Sequence, residues 1–183
     1  MREIIHVGDP RLRKRSRPVK VITPEIRQLI DDMVETMHEY NGIGLAAAQV
    51  GELVQIIVVE VPEAEEVQGS GQRYIVLNPE IVKLSRETED GIEGCLSVPG
   101  YVGEVERSTM ALIRGMDTQG RKMRLRTKDF LARVFQHEID HTNGVLYIDR
   151  LTETDRIWTV EKGEEEQSEI NQALPEDAVP ARV

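Results

Sequence analysis

Gln136-His137-Glu138-Ile139-Asp140-His141 is the stretch on which both the fold and the chemistry turn. On a helix, residues four apart share a face, so His137 and His141 project side by side, one turn apart. Two imidazoles so placed can hold one divalent cation, and Glu138 is fixed beside it, where a general base for activated water belongs. The plain alternative is a helix with two surface histidines. It weakens because Phe130, Leu131, Val134 and Phe135 make the front half of the same segment apolar. Histidines on a buried helix need partners.

Outward from this helix, Thr127 is expected to cap it and Asn143-Gly144 to end it. Residues 108–115 and 121–126 read as a hairpin around Asp117-Thr118-Gln119-Gly120, with Met123 and Leu125 on one face. Beyond the helix, residues 145–148 are expected as a short strand and residues 152–161 as a short helix around Ile157 and Trp158. Further upstream, Thr23 and Pro24 start a first helix. Ile26, Leu29, Ile30, Met33, Val34 and Met37 form its apolar stripe, which ends before Gly42. His38, at the stripe's edge, reads as structural. Residues 54–61 are a β-branched strand, and 62–71 an acidic, Gly-rich loop. Residues 73–77 and 80–84 are strand segments separated by Asn78-Pro79. Residues 1–22 read as extended and loop-like. Strands precede, surround and follow a central helix without βαβ alternation, which predicts an α+β fold, mostly antiparallel, in one domain over residues 1–161. Residues 162–183 carry Glu164, Glu165, Glu166, Glu169, Glu176 and Asp177 against Lys162 and Arg182. They are expected to form an acidic, disordered tail.

The bulk composition excludes several classes. A net charge of −10 over 183 residues argues against general nucleic-acid binding. Basic clusters at 11–20 and 121–128 are read first as solvated faces, with docking on an anionic partner the lesser alternative. No run is long enough to span a membrane, and Met1-Arg2-Glu3-Ile4-Ile5-His6 has no apolar signal core. A single cysteine cannot form an internal disulfide, in keeping with a reducing cytoplasm.

Two histidines rarely complete a catalytic metal site; three protein ligands and an open position are usual. The extended protease pattern is matched as far as Gly144, but Tyr147 stands where a third histidine belongs. The other protease pattern would use a glutamate about twenty residues on, where Glu161 stands at the border of the acidic tail. Cys95 is the third candidate, within Glu93-Gly94-Cys95-Leu96-Ser97-Val98-Pro99-Gly100, a run of small and turn-forming residues. A lone cysteine by itself reads as a small buried hydrophobe. A further unusual stretch is Gly42-Ile43-Gly44-Leu45-Ala46-Ala47-Ala48-Gln49-Val50-Gly51. Its two glycines flank one apolar residue and allow close backbone approach. It lacks the Lys-Ser/Thr of a phosphate loop.

Gly42 to Gln49, Glu93 to Ser97 and Gln136 to His141, in this order and spacing, resemble the three motifs of the peptide deformylase family, and the likeness runs to about Asp149. The resemblance implies removal of the formyl group from the N-terminal formyl-methionine of nascent polypeptides. It implies Cys95, His137 and His141 as ligands of one divalent metal ion, iron(II) as the native ion, with zinc or nickel able to substitute. Metal-bound hydroxide would attack the formyl carbon, with Glu138 carrying the proton. The oxyanion would be held by the backbone N–H of Leu96, the side-chain amide of Gln49 and the metal. Ile43, Gly44, Phe130, Val134 and part of His137 would form the methionine pocket. The peptide would add as a strand along Gly42, Ile43 and Gly44 and the Gly100-Tyr101 edge. Some relatives carry an arginine seven positions after the cysteine; Val102 stands there, and Arg107 is the arginine nearby. Formyl-methionyl nascent chains are the implied partners, in the cytoplasm, with no membrane and no specific nucleic acid. A transient ribosome association is implied as well, although acids replace the C-terminal basic residues through which relatives make it. Rival readings are a zinc endopeptidase using Glu161 and a silent peptide-binding module with a structural metal centre.

Overall fold

The computed structural model describes residues 1–64, 67, 69–153 and 156–160. The first helix, α1 (Pro24–Glu39), begins as its sequence dictates: Thr23 Oγ1 accepts the Ile26 N–H at 3.4 Å and Pro24 opens the first turn. Leu29, Ile30, Met33 and Met37 are buried and pack on Leu45, Ile56 and Val58. The chain then lays down β1 (Gly44–Ala46), and a 3-10 turn over Ala47–Val50 closes on Gly51 at φ +82°. That left-handed conformation suits glycine.

β2 (Ile56–Glu60) has four consecutive buried aliphatics, because it lies inside a sheet covered on both faces. β3 (Arg73–Leu84) is one strand, not the two segments expected. Asn78 bridges the supposed break: it takes φ +51°, its Oδ1 accepts the Val19 N–H at 2.7 Å, and its Nδ2 donates to Val19 O at 2.8 Å. The pairing of β3 shifts register there, as at a bulge. β4 (Thr88–Gly94) pairs with β5 (Tyr101–Ser108) from Val102 to Ser108, and β6 (Met110–Met116) and β7 (Lys122–Lys128) form the expected hairpin.

The central helix is α2 (Asp129–Thr142). Thr127 does not cap it. Thr127 is still in β7, where its Oγ1 donates to Ala111 O at 3.2 Å. Residues 145–148 are not a strand: Leu146 is buried and Tyr147–Arg150 form a 3-10 turn, with the Asp149 carboxylate accepting the Leu146 N–H at 2.9 Å. Nor do Ile157 and Trp158 begin a helix; they belong to β8 (Ile157–Thr159), which adds to β5. Their alternate placement against a strand already half covered by β4 favours pairing over a helical stripe.

The strands form a five-stranded sheet, β1-β2-β3-β6-β7, and a three-stranded sheet, β4-β5-β8, antiparallel throughout. α2 packs against both, with Leu131, Ala132, Phe135 and Ile139 in the core of the larger sheet. The architecture is a single-domain α+β fold around a central helix. Tail residues 162–183 and Glu161 lie outside the described residues.

Candidate metal centre

α2 presents His137 and His141 one turn apart, their rings edge to face with centroids 4.9 Å apart. Their Nε2 atoms are 3.2 Å apart, and Cys95 Sγ lies 3.3 Å from His141 Nε2. The three donor atoms all lie within 4.8 Å of one another. Cys95 arrives from the other sheet: β4 ends at Gly94, and a turn closed by the Val98 N–H on Cys95 O at 2.8 Å presents the thiol. One sulfur and two imidazole nitrogens, turned toward a common point in a buried setting, fit a first-row transition metal.

The orientation of His137 has an identifiable cause. Glu93 Oε2 sits 2.9 Å from His137 Nδ1; an ionised carboxylate only accepts, so Nδ1 carries a proton and Nε2 is the nitrogen turned to the site. Glu93 is itself gripped by Arg107 at 2.8 and 3.0 Å and by Arg133 at 3.1 Å. Arg107 also reaches Asp140 at 2.6 Å, and Arg150 closes on Asp140 at 2.5 and 2.7 Å. This chain of charges ties α2 to β4 and β5. Burial works to raise the Glu93 carboxyl, but the hydrogen bonds from Arg107 and His137 outweigh it and hold the group well below the usual carboxylate range. At the imidazoles burial disfavours charge. At His137, hydrogen bonds to Cys95 and Glu93 overcome it and raise the pKa. At His141 burial prevails and the positive charge of His137 adds to it, lowering the pKa.

Glu138 is 3% exposed, and its Oε2 has no hydrogen-bond partner among the described residues. Burial pushes its carboxyl up to about 7, with the nearby charge of His137 opposing and those of Glu93 and Asp140 adding. Gly44 explains how the backbone comes so near: a Cβ there would overlap the Glu138 carboxylate. A Cβ on Gly42 would meet Leu96 Cδ1 at 2.9 Å. Gln49 is oriented by the backbone. Its Oε1 accepts the Ala46 N–H at 2.8 Å, which turns Nε2 toward Cys95 Sγ at 3.5 Å and leaves a second N–H on that side. The Leu96 N–H meets no acceptor among the described residues.

Ile43, Phe130 and Val134 pack in one apolar cluster beside this centre. The Ile43 carbonyl accepts from Glu60, and Leu45 faces Val58 across β2, so the alternation of an antiparallel pair turns the Gly44 N–H and C=O outward. The Gly100-Tyr101 segment is taken on one side by β8. Gly100 O already accepts the Val160 N–H at 3.1 Å and Tyr101 pairs with Thr159. β8 therefore occupies one side of Tyr101, whereas β4 pairs with β5 only from Val102 onward. Arg107, the nearby arginine, is buried in the charge chain and cannot meet a ligand. Tyr147, at the place of a protease's third histidine, instead stacks on His137 with centroids 6.2 Å apart and donates to Tyr101 O at 3.1 Å.

Sequence reasoning missed Glu93, Arg107, Asp140 and Arg150 as a unit. Their signal was faint: an acid two residues before Cys95 and an acid between the histidines.

The sequence profile of the polypeptide deformylase family matches residues 1–157. A peptide deformylase of Thermomicrobium roseum is 42% identical over 170 residues, covering 92% of this chain and 96% of the relative. The crystal structure of the Thermotoga maritima peptide deformylase superposes with a TM-score of 0.78 at 41% identity, over 84% of this chain and 99% of that one. An Acinetobacter baumannii peptide deformylase, solved with Met-Ala-Ser bound, superposes with a TM-score of 0.78 at 34% identity, over 82% of this chain and 98% of its own. With the family profile matched over residues 1–157 and relatives covered almost end to end at more than 40% identity, the chain belongs to the polypeptide deformylase family.

Proposed function

We propose that this chain takes the formyl group from the N-terminal formyl-methionine of nascent peptides, with Glu138 carrying the proton. Membership of the family makes it a metal-dependent hydrolase of formylated peptides. The observation that carries the residue assignment is the buried, partnerless oxygen of Glu138 beside three converging donors. Cys95, His137 and His141 would hold one divalent cation, which when bound supplies positive charge to activate water and polarise the formyl carbonyl. Iron(II) is proposed as the native ion, with zinc or nickel as substitutes, since the donor set suits all three.

The protein's own groups divide the work. The Glu138 carboxylate, held by burial in a setting that raises its affinity for a proton, takes one from the attacking water. The water oxygen bonds to the formyl carbon, and the carbonyl oxygen becomes an anion facing Gln49 Nε2 and the Leu96 N–H, both aimed before reaction. Glu138 then returns the proton to the peptide nitrogen as the C–N bond breaks and formate leaves. The outward N–H and C=O of Gly44 pair with an extended peptide, and Ile43, Phe130 and Val134 receive an unbranched apolar side chain. Met-Ala-Ser, bound by the Acinetobacter relative, is a peptide of that form. No helix among the described residues is long and apolar enough to cross a membrane. Action in the cytoplasm on chains leaving the ribosome, with transient ribosome association, completes the proposal.

Anaerobically purified protein should release formate from formyl-Met-Ala-Ser and no acetate from acetyl-Met-Ala-Ser. Glu138→Ala should keep its metal and lose turnover by about 10²–10⁴-fold. Unchanged turnover in that variant would remove Glu138 from the proton-carrying role.

A further inference from the structure

We infer that Arg133 is a positioning residue: it fixes the strand that delivers Cys95 against the helix that carries His137 and His141, and so sets how closely thiol and imidazoles converge. The inference rests on the metal assignment proposed above. Two of the three donors ride on α2 and the third follows β4 directly, so the seating of β4 on α2 decides whether they meet. That seating is not hydrophobic. Alternation along β4 turns Glu89, Gly91 and Glu93 toward the helix, where Glu93 meets His137. Ile92, the one apolar residue of β4, points the other way and belongs to none of the apolar clusters.

Arg133 makes the link instead. It stands on α2 one turn before His137 and is buried. Its Nη1 donates to Val105 O at 2.7 Å, to Glu93 Oε1 at 3.1 Å and to Gly91 O at 3.4 Å, and its Nη2 donates to Glu89 O at 2.7 Å. One guanidinium thus lies over the β4–β5 pair where Gly91 faces Val105 and holds β4 two residues to either side. Gly91 fits this role. Its φ is not positive, so no left-handed turn demands glycine there. A Cβ would stand 2.8 Å from Arg133 Cζ, and the glycine makes room for the guanidinium. The plainer role, counter-ion to Glu93, is already filled: Arg107 forks onto both Glu93 oxygens at 2.8 and 3.0 Å. Three of the four Arg133 bonds go to backbone carbonyls, which a rigid fork can place but not neutralise. Apolar packing is non-directional and would let β4 slide on the helix; bonds of fixed geometry do not.

The test uses chelator-stripped full-length protein reloaded anaerobically with cobalt(II), whose bond to a thiolate gives an ultraviolet absorption band. Arg133→Met keeps the length of the side chain and donates nothing. It should weaken cobalt binding about 10–100-fold in chelator competition and weaken the thiolate band at full loading. Arg133→Lys, with the charge but not the fork, should fall between. Gly91→Ala leaves every hydrogen-bonding group in place and drives a methyl group into the guanidinium; it should show the same two losses, and is read alone if the Arg133 variants fail to fold. Combined with Arg133→Met the methyl enters emptied space, so the double variant should lose no more than Arg133→Met does. Parental affinity and band in folded Arg133→Met, a loss confined to the urea midpoint, a weaker affinity with the thiolate band intact, or additive losses in the double variant would each overturn the inference. Parent protein that itself takes up no cobalt would overturn the metal assignment and the inference with it.

Discussion

Replacing Glu93 by glutamine removes the one charge that Arg107, Arg133 and His137 share. Leaving buried guanidiniums short of their counter-ion should cost about 3–5 kcal/mol of stability, and loosening His137 should weaken metal binding about 10–100-fold. Both are read from urea unfolding and from chelator competition; a variant within experimental error of the parent in both would contradict the arrangement. pH gives a second view of the same residue. The folded-state carboxyl lies below its ordinary value of 4.5, so its contribution is complete above about that pH and is lost as the pH falls toward the folded value. The urea midpoint of the metal-free protein should therefore drop below about pH 4.5, and Glu93→Gln should flatten that dependence. An equal slope in both proteins would assign acid sensitivity to other groups. This residue was hard to see in the sequence, since an acid beside a cysteine could as easily have been solvated. Only the fold brings β4, β5 and α2 together around it.

At the scale of elements, β1 is short but sets the distance between peptide and carboxylate. Gly44→Ala puts a methyl group into the Glu138 carboxylate. Overpacking of this kind typically costs about 1–3 kcal/mol. Because the displaced atom is the proton carrier, kcat should fall more than KM changes. Normal kcat in a folded variant would show that the approach is looser than the structure has it. The helices were legible because their signals are local: Thr23-Pro24 with a stripe at helical spacing for α1, and a four-residue histidine repeat behind an apolar front for α2. The hairpin was legible from Asp117 to Gly120. β4 and β5 were not, because Thr88-Glu89-Asp90-Gly91 and Glu104-Val105-Glu106-Arg107 carry charges where an apolar face would announce a strand. Those charges are partly spent on the buried network. β8 and the 3-10 turn at Tyr147 depend on what β5 offers them, which is a tertiary matter.

For the whole molecule, two sheets meet on one helix, and the candidate metal centre sits where Cys95, following β4, faces the histidines of that helix. The three ligand candidates and Gln49 could be read from motifs. The covering of one side of the Gly100-Tyr101 segment by β8 could not, since it depends on a strand more than fifty residues away. The family match ends at residue 157, so deleting residues 161–183 should leave kcat/KM on formyl-Met-Ala-Ser within about twofold of the parent. A collapse of turnover in a folded truncation would give the acidic tail a part in catalysis and reopen Glu161 as a ligand. The central claim is that one cation held by Cys95, His137 and His141 makes the protein a deformylase. It is met most directly by measuring formate release while iron(II) is added anaerobically to chelator-stripped protein. Turnover should be absent at the start, rise in proportion to added metal and level off at about one equivalent. Full turnover in the stripped protein, or a rise that continues to two equivalents, would contradict it.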